Sequence, residues 1–213
     1  MTAKQINKLT LILYPTYFSP IVHFVALAKA DEIIYEVEDN YQKQTYRTRC
    51  YIASSDGKHL LNIPVQHNKS KKTKDVKLDT SFPWHKQHIK SLQIAYRSSP
   101  YFEFYEDEII SLFDKIPPFL LDFNLECQHL ILDLLQLNTP FTTTKEYIKE
   151  YVNVVDLRSL ADAKSNRDYN LDKYIQVFSD KHGFIENLSI LDLLFMEGPN
   201  ALNYLENQSF EID

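Results

Sequence analysis

Two arginines, Arg47 and Arg49, stand two positions apart in the stretch NYQKQTYRTRC (40–50), in company with Gln42, Lys43, Gln44 and the rings of Tyr41 and Tyr46. On an extended segment residues two apart point to the same face, so the pair is expected to share one. Neighbouring guanidiniums repel unless an anion or carboxylates lie between them, and their forked donors suit phosphate or carboxylate. Gln44 would add a further donor, and Tyr41 or Tyr46 could stack on a ring of the ligand. An edge-strand face that carries charge against aggregation would produce the same run.

Two other stretches carry titratable chemistry. PWHKQHIK (83–90) puts His85 and His88 three apart, on one face if the segment is helical. A tetrahedral metal site needs further ligands at a telling spacing, and none follows, so no metal is expected. His88 reads better as an acid/base or phosphate ligand, with a histidine packed beside Trp84 as the alternative. FSDKHGF (178–184) sets Lys181 and His182 just after a strand-like run and just before a helix start. Ligands of α/β folds gather at the carboxyl ends of strands, which would make His182 an acid/base and Lys181 a phosphate contact. A plain loop turning at Gly183 is the alternative. Neither Cys50 nor Cys127 sits in an activating context, and no serine has an elbow motif around it. Catalysis would then rest on positioning and charge stabilisation.

The elements that must hold these residues begin with LTLILYP (9–15), a buried strand by its continuous apolar run, stopped by Pro15. PIVHFVALAKA (20–30) suits a helix with Pro20 in its first turn and Ser19 as cap, and EIIYEVE (32–38) a second strand. Together they predict an N-terminal βαβ unit. RCYIAS (49–54) and HLLNIPVQ (59–66), joined by SDGK (55–58), predict a β-hairpin. The lysine-dense loop HNKSKKTKDVK (67–77) leads toward a short strand near Val76 and Leu78. Helical patterns occupy 84–99, 101–116 and 118–137. TPFTTT (139–144) favours β, 156–172 reads as loop, and YIQVFS (174–179) as a strand. NLSILDLLFMEGP (187–199) has a helix start at Asn187 or Ser189 and a stop at Gly198-Pro199. The fold class expected is α/β: a mixed sheet with an N-terminal βαβ unit and hairpin, and a helical second half, in a single domain over 1–213.

Composition excludes several function classes. Only Gly57, Gly183 and Gly198 occur, far apart, so the glycine clusters of P-loops and dinucleotide-binding turns are absent. A net charge of −6 argues against a duplex nucleic-acid binder. No apolar run reaches the roughly 20 residues that span a bilayer. The N-terminus lacks the pattern of a secretory signal, and two cysteines make no disulfide framework. A cytoplasmic protein is expected.

Read in order, YPTYFSPIVHF, NYQKQTYRTRC, NIPVQ, PWHKQH, AYRSSPYFEFYED, LLDFNL, VDLR and YIQVFSDKHGFIENLSILDLLFMEGPNALNYL resemble the WbqC-like family of bacterial proteins over nearly the whole chain. Members are often encoded with O-antigen or other surface-polysaccharide genes. Many begin with His-Gln-Pro-x-Tyr/Phe-x-Pro after the first strand, where this chain has Tyr14-Pro15-Thr16-Tyr17-Phe18-Ser19-Pro20, without the leading His-Gln. The resemblance implies a pathway, surface-polysaccharide biosynthesis, more than a reaction; together with the residues above it gives the expectation of a transferase that takes a nucleotide-linked or phosphorylated sugar. Its site would comprise Tyr41, Gln44, Tyr46, Arg47, Arg49 and Lys181 for binding, with His88 or His182 as acid/base. A non-catalytic binding or scaffold protein of the same pathway, and an acyl or aminoacyl transferase decorating a sugar amine, are the alternatives. The sequence names no cofactor and no oligomeric state.

Overall fold

This computed structural model describes residues 8–66, 71–165 and 167–209. In chain order they form β1 (Thr10–Leu13), α1 (Ile21–Lys29), β2 (Glu32–Tyr35), β3 (Arg49–Ser54) and β4 (Gly57–Asn62). Three longer helices follow, α2 (Trp84–Tyr96), α3 (Phe102–Ser111) and α4 (Leu120–Leu134), then two short strands, β5 (Phe141–Thr143) and β6 (Val155–Asp156). The last elements are the single turn α5 (Ser179–His182), α6 (Ile190–Glu197) and α7 (Ala201–Asn207). Residues 67–70 of the lysine-dense loop lie outside the described residues. Among those described, no helix is long and apolar enough to cross a membrane.

The class is the expected α/β. β1 and β2 pair in parallel from Thr10↔Glu32 to Leu13↔Tyr35 with α1 as the crossover, as the βαβ reading requires. Parallel strands covered on both faces must be apolar along their length, which is why Leu11, Ile12 and Leu13 are all buried. α1 is buried continuously from Ile21 to Leu27, the mark of a helix enclosed on all sides. The hairpin also forms as expected, β3 against β4 from Arg49↔Asn62 to Ser54↔Gly57.

At the helix ends, the cap of α1 differs from the sequence reading, while the start and stop of α6 follow it. Ser19 does not cap α1; its Oγ lies 2.5 Å from Thr16 Oγ1 and accepts from Gln128 Nε2 of α4. Pro20 takes the cap position, and the free amides of Ile21 and Val22 donate to the Leu188 carbonyl (2.9 Å) and to Asn187 Oδ1 (3.0 Å). With Asn187 committed to α1, Ser189 caps α6 by accepting from Leu191 N. Gly198 ends α6 at φ +52°, where a Cβ would fall 2.5 Å from Cγ of Tyr101, so backbone and ring both require glycine.

YIQVFS, expected as a strand, pairs with none. Its side chains alternate as a strand's do, Tyr174 and Gln176 inward and Ile175 outward. The Gln176 amide stands in for a ladder: Ile185 N donates to its Oε1 (2.8 Å), and its Nε2 donates to the Ile185 carbonyl (3.0 Å). Alternation here reports burial, not strand pairing.

The parallel sheet runs in the order β5-β2-β1-β6. The chain steps outward from β1 to β2 to β5, then crosses back to place β6 on the other side of β1. The order therefore reverses between β1 and β6. In open α/β sheets ligands bind outside the carboxyl ends of strands at such a reversal.

Candidate functional site

Residues 40–48 leave the carboxyl end of β2 and are tied down on two sides before β3 begins. Tyr41 N donates to Lys71 O (2.7 Å), and Asn40 forms an isolated bridge with Lys72. Tyr46 N donates to Ala161 O (2.9 Å), and Thr45 bridges to Asp162 beyond β6. A third tie comes from α4, where Asn124 Nδ2 donates to the carbonyls of Arg47 (3.0 Å) and Pro15 (3.3 Å). The loop thus has fixed walls on either flank, and each flank holds a cavity. Lys43 and Gln44 line both. Gln44 sits at φ +61°, a left-handed conformation that non-glycine residues adopt rarely and that clusters at binding sites.

Arg47 and Arg49 do not share a face. Thr48 N donates to Thr45 O (3.1 Å), closing a turn through Tyr46 and Arg47 that breaks the period of an extended chain. Arg49 lines the larger cavity, of about 350 Å³, with Tyr41, Lys43, Gln44, Thr48 and Asn62; Ile63, Pro64, Val65 and Val76 supply its apolar wall. Among the described residues no carboxylate lines this cavity, and Arg49 and Lys43 form no ion pair. Arg49 Nε is buried without a hydrogen-bond partner. The arrangement is suited to an anionic group carried on a partly apolar body.

The smaller cavity, of about 260 Å³, lies where the strand order reverses. Tyr14, directly after β1, and Arg158, two residues past β6, line it together with Arg47, Gln42, Asp162 and Lys164. Arg47 is 1% exposed, pairs with Asp39 at 2.6 Å and lies 3.8 Å above the Tyr14 ring. Burial, then the charge of Asp39, pushes the Tyr14 phenol up to about 12. Arg158 is fully engaged: it donates to Asp156 and to the carbonyls of Ile148 (2.8 Å) and Lys149 (2.7 Å), with Glu36 at 3.6 Å. Asp156 holds its guanidinium even further above the ordinary range.

Of the residues singled out from sequence, the fold therefore brings Tyr41, Gln44 and Arg49 to one cavity, and Gln44 and Arg47 to the other. The remaining four line neither. Tyr46 is buried, its ring edge-on to those of Tyr51 and His23. Lys181 Nζ and His182 Nε2 both donate to the Ser55 carbonyl at the hairpin turn, at 2.5 and 2.8 Å. Because no strand precedes them, the strand-end argument for this pair does not apply. His88 is 5% exposed, with Nδ1 2.9 Å from Tyr17 Oη and the Asn62 backbone as its other partner.

Burial pushes His88 down to about 4. A histidine whose folded value lies below its unfolded value of about 6.5 contributes stability that is fully present above the unfolded value and is lost as pH falls through the folded one. The stability advantage of the wild type over His88→Gln should therefore shrink by about 2 kcal/mol between about pH 7 and pH 4.5. Urea unfolding at each pH measures it, and an unchanged gap would show that the ring protonates freely in the fold.

Sequence reasoning missed Tyr14, Asp39, Asn124 and Arg158. Tyr14, Asp39 and Arg158 follow strand ends by one to four residues, and Asn124 shares a buried face of α4 with Gln128. That last pair was a legible signal, since buried amides must find partners.

Comparison with curated proteins and with solved structures finds no match. The model of the WbqC-like protein family matches residues 14–175, a span that starts at Tyr14 and contains every residue lining the two cavities. A match of that length, over most of the chain, settles the kinship: the chain belongs to the WbqC-like protein family.

Proposed function

We propose that this protein is a transferase of bacterial surface-polysaccharide biosynthesis that binds a phosphorylated or nucleotide-linked sugar, with the anionic group held at Arg49. One observation carries the reading: Arg49 keeps a buried, unpartnered Nε in a cavity with no carboxylate among the described residues that line it. A guanidinium in that setting lacks the counter-charge that would offset its desolvation, and a ligand anion supplies it. Lys43 adds a second cation, Gln44 a donor and Tyr41 a ring at the same cavity. Rate enhancement would come from positioning and charge stabilisation. The pathway follows from the family resemblance.

A thermal-shift screen against nucleotides, nucleotide-sugars and sugar phosphates tests the proposal. Saturation at about 100 times Kd should stabilise the wild type by about 2.7 kcal/mol. Arg49→Ala should abolish that stabilisation while melting close to the wild type without ligand. Equal stabilisation of both proteins, or none for either, would sink the reading. The absent His-Gln before Pro15 favours a second reading, a non-catalytic binding role in the same pathway. Ligand-induced stabilisation without turnover would select it.

A further inference from the structure

The two cavities share a wall made of Lys43 and Gln44, and their linings differ in chemistry. The larger has an apolar wall flanked by the amides of Asn62 and Gln66, with Tyr41 beside it. That is a surface for a flat heterocycle whose edge needs donors and acceptors. Around the smaller cavity, Gln42, Thr45, Ser159 and Asp162 offer amide, hydroxyl and carboxylate groups. Such a lining matches a polyhydroxylated ring, and Tyr14, its aromatic residue, already carries Arg47 over its ring. Among the described residues, the lining cations without an ion pair are Arg49 in the larger cavity, Lys43 at the shared wall and Lys164 at the rim of the smaller.

We infer that the two cavities are halves of one site for a nucleoside diphosphate sugar, with the nucleoside in the larger, the sugar in the smaller and the diphosphate crossing the Lys43–Gln44 wall. This rests on the reading of Arg49 as an anion ligand and specifies the substrate class. The left-handed Gln44 has a role in this arrangement. It lines both cavities in a left-handed backbone conformation, at the wall that the diphosphate would cross. The smaller cavity's place at the strand-order reversal puts the sugar where α/β sheets present reactive groups. Each half is small for a whole nucleotide-sugar, since pockets for drug-sized ligands run about 300–1,000 Å³. The larger, about 350 Å³, sits at the low end of that range and the smaller, about 260 Å³, below it; joined, they lie well inside it.

Isothermal titration calorimetry of the full chain tests this with UDP-glucose, GDP-mannose, dTDP-glucose and ADP-glucose, their nucleoside diphosphates and the matching hexose phosphates. One intact nucleotide-sugar should bind about 100-fold more tightly than its nucleoside diphosphate, the gain expected when two subsites are occupied by linked groups. Ser159→Trp, at an exposed position, fills the smaller cavity and should reduce that affinity to the level of the nucleoside diphosphate, whose own binding stays unchanged. Lys164→Trp fills the same cavity from its rim and serves if the first variant does not fold. Gln66→Trp, in the larger cavity, should abolish binding of both. Full affinity for the intact ligand in folded Ser159→Trp or Lys164→Trp overturns the inference. Hexose phosphates that bind through Arg49 while every nucleotide-sugar fails would overturn it and leave the anion reading standing. If no probe binds, both fall together.

Discussion

Arg47→Ala is expected to lower the unfolding free energy by about 3–5 kcal/mol, the usual result of removing one partner from a buried ion pair. Arg47 and Asp39 are 1% and 3% exposed and meet at 2.6 Å. Asp39 Oδ1 already has no hydrogen-bond partner, so the truncation would leave a buried carboxylate without its paired guanidinium, with only Thr73 and the charge of Lys72 to stabilise it. Arg47 also donates to Thr45 Oγ1 (3.3 Å) and covers the Tyr14 ring, contacts that alanine cannot replace. A loss of this size is a large share of the roughly 5–15 kcal/mol that holds a domain together. Arg49→Ala removes a partly buried cation with no ion pair among the described residues and should change stability by less than about 0.5 kcal/mol.

The pH dependence gives this prediction a second check. Burial raises the Asp39 carboxyl above its ordinary value, although Arg47 pulls it down. Without Arg47 it rises further. A carboxyl raised by folding contributes stability at low pH that is lost as pH rises through the folded value. The penalty of Arg47→Ala should therefore be smaller in acid than at neutral pH. Urea denaturation across that range measures it, and Asp39→Leu combined with Arg47→Met should recover most of the loss by removing both charges. An Arg47→Ala protein as stable as the wild type would show that the pair is solvated.

How far these roles could be read from sequence depends on the range of the interaction. The βαβ unit and the hairpin were legible because buried runs, Pro15 and the SDGK turn are local signals. β6 has two residues and hence no period to detect. The order β5-β2-β1-β6 depends on pairings across the whole chain, so the crevice between Tyr14 and Arg158 was invisible. Donor-rich composition did mark the 40–48 loop, and Tyr41, Gln44 and Arg49 do meet. Spacing failed inside that loop because one hydrogen bond, Thr48 N to Thr45 O, turned the chain and sent its two arginines to different cavities. Nothing in the types or spacing of residues 39 and 47 announced that one would neutralise the other.

Asp192→Ala should be comparably damaging, by about 3–5 kcal/mol, for a different reason. The Asp192 carboxylate is fully buried and has no cation paired with it among the described residues. Hydrogen bonds stabilise it: Tyr96 Oη donates to Oδ1 (2.7 Å), and Tyr174 Oη (2.5 Å) and Gln176 Nε2 (2.9 Å) donate to Oδ2. Tyr96 Oη in turn accepts from Ala53 N (3.0 Å), so one carboxylate joins α2, α6, the 174–176 segment and β3. Alanine would strand these donors in the interior. Burial nevertheless leaves the carboxyl above its ordinary value, because desolvation outweighs the donors that pull it down. The wild type should accordingly gain stability relative to Asp192→Asn as pH falls toward the folded value. Hydrogen exchange gives the local test. Asp192→Ala should accelerate exchange of the Ala53 amide, which lies on the strand that Arg49 opens. Protection of that amide unchanged in the variant would mean that the network does not hold the hairpin, and that the cavity wall built on β3 is rigid for other reasons.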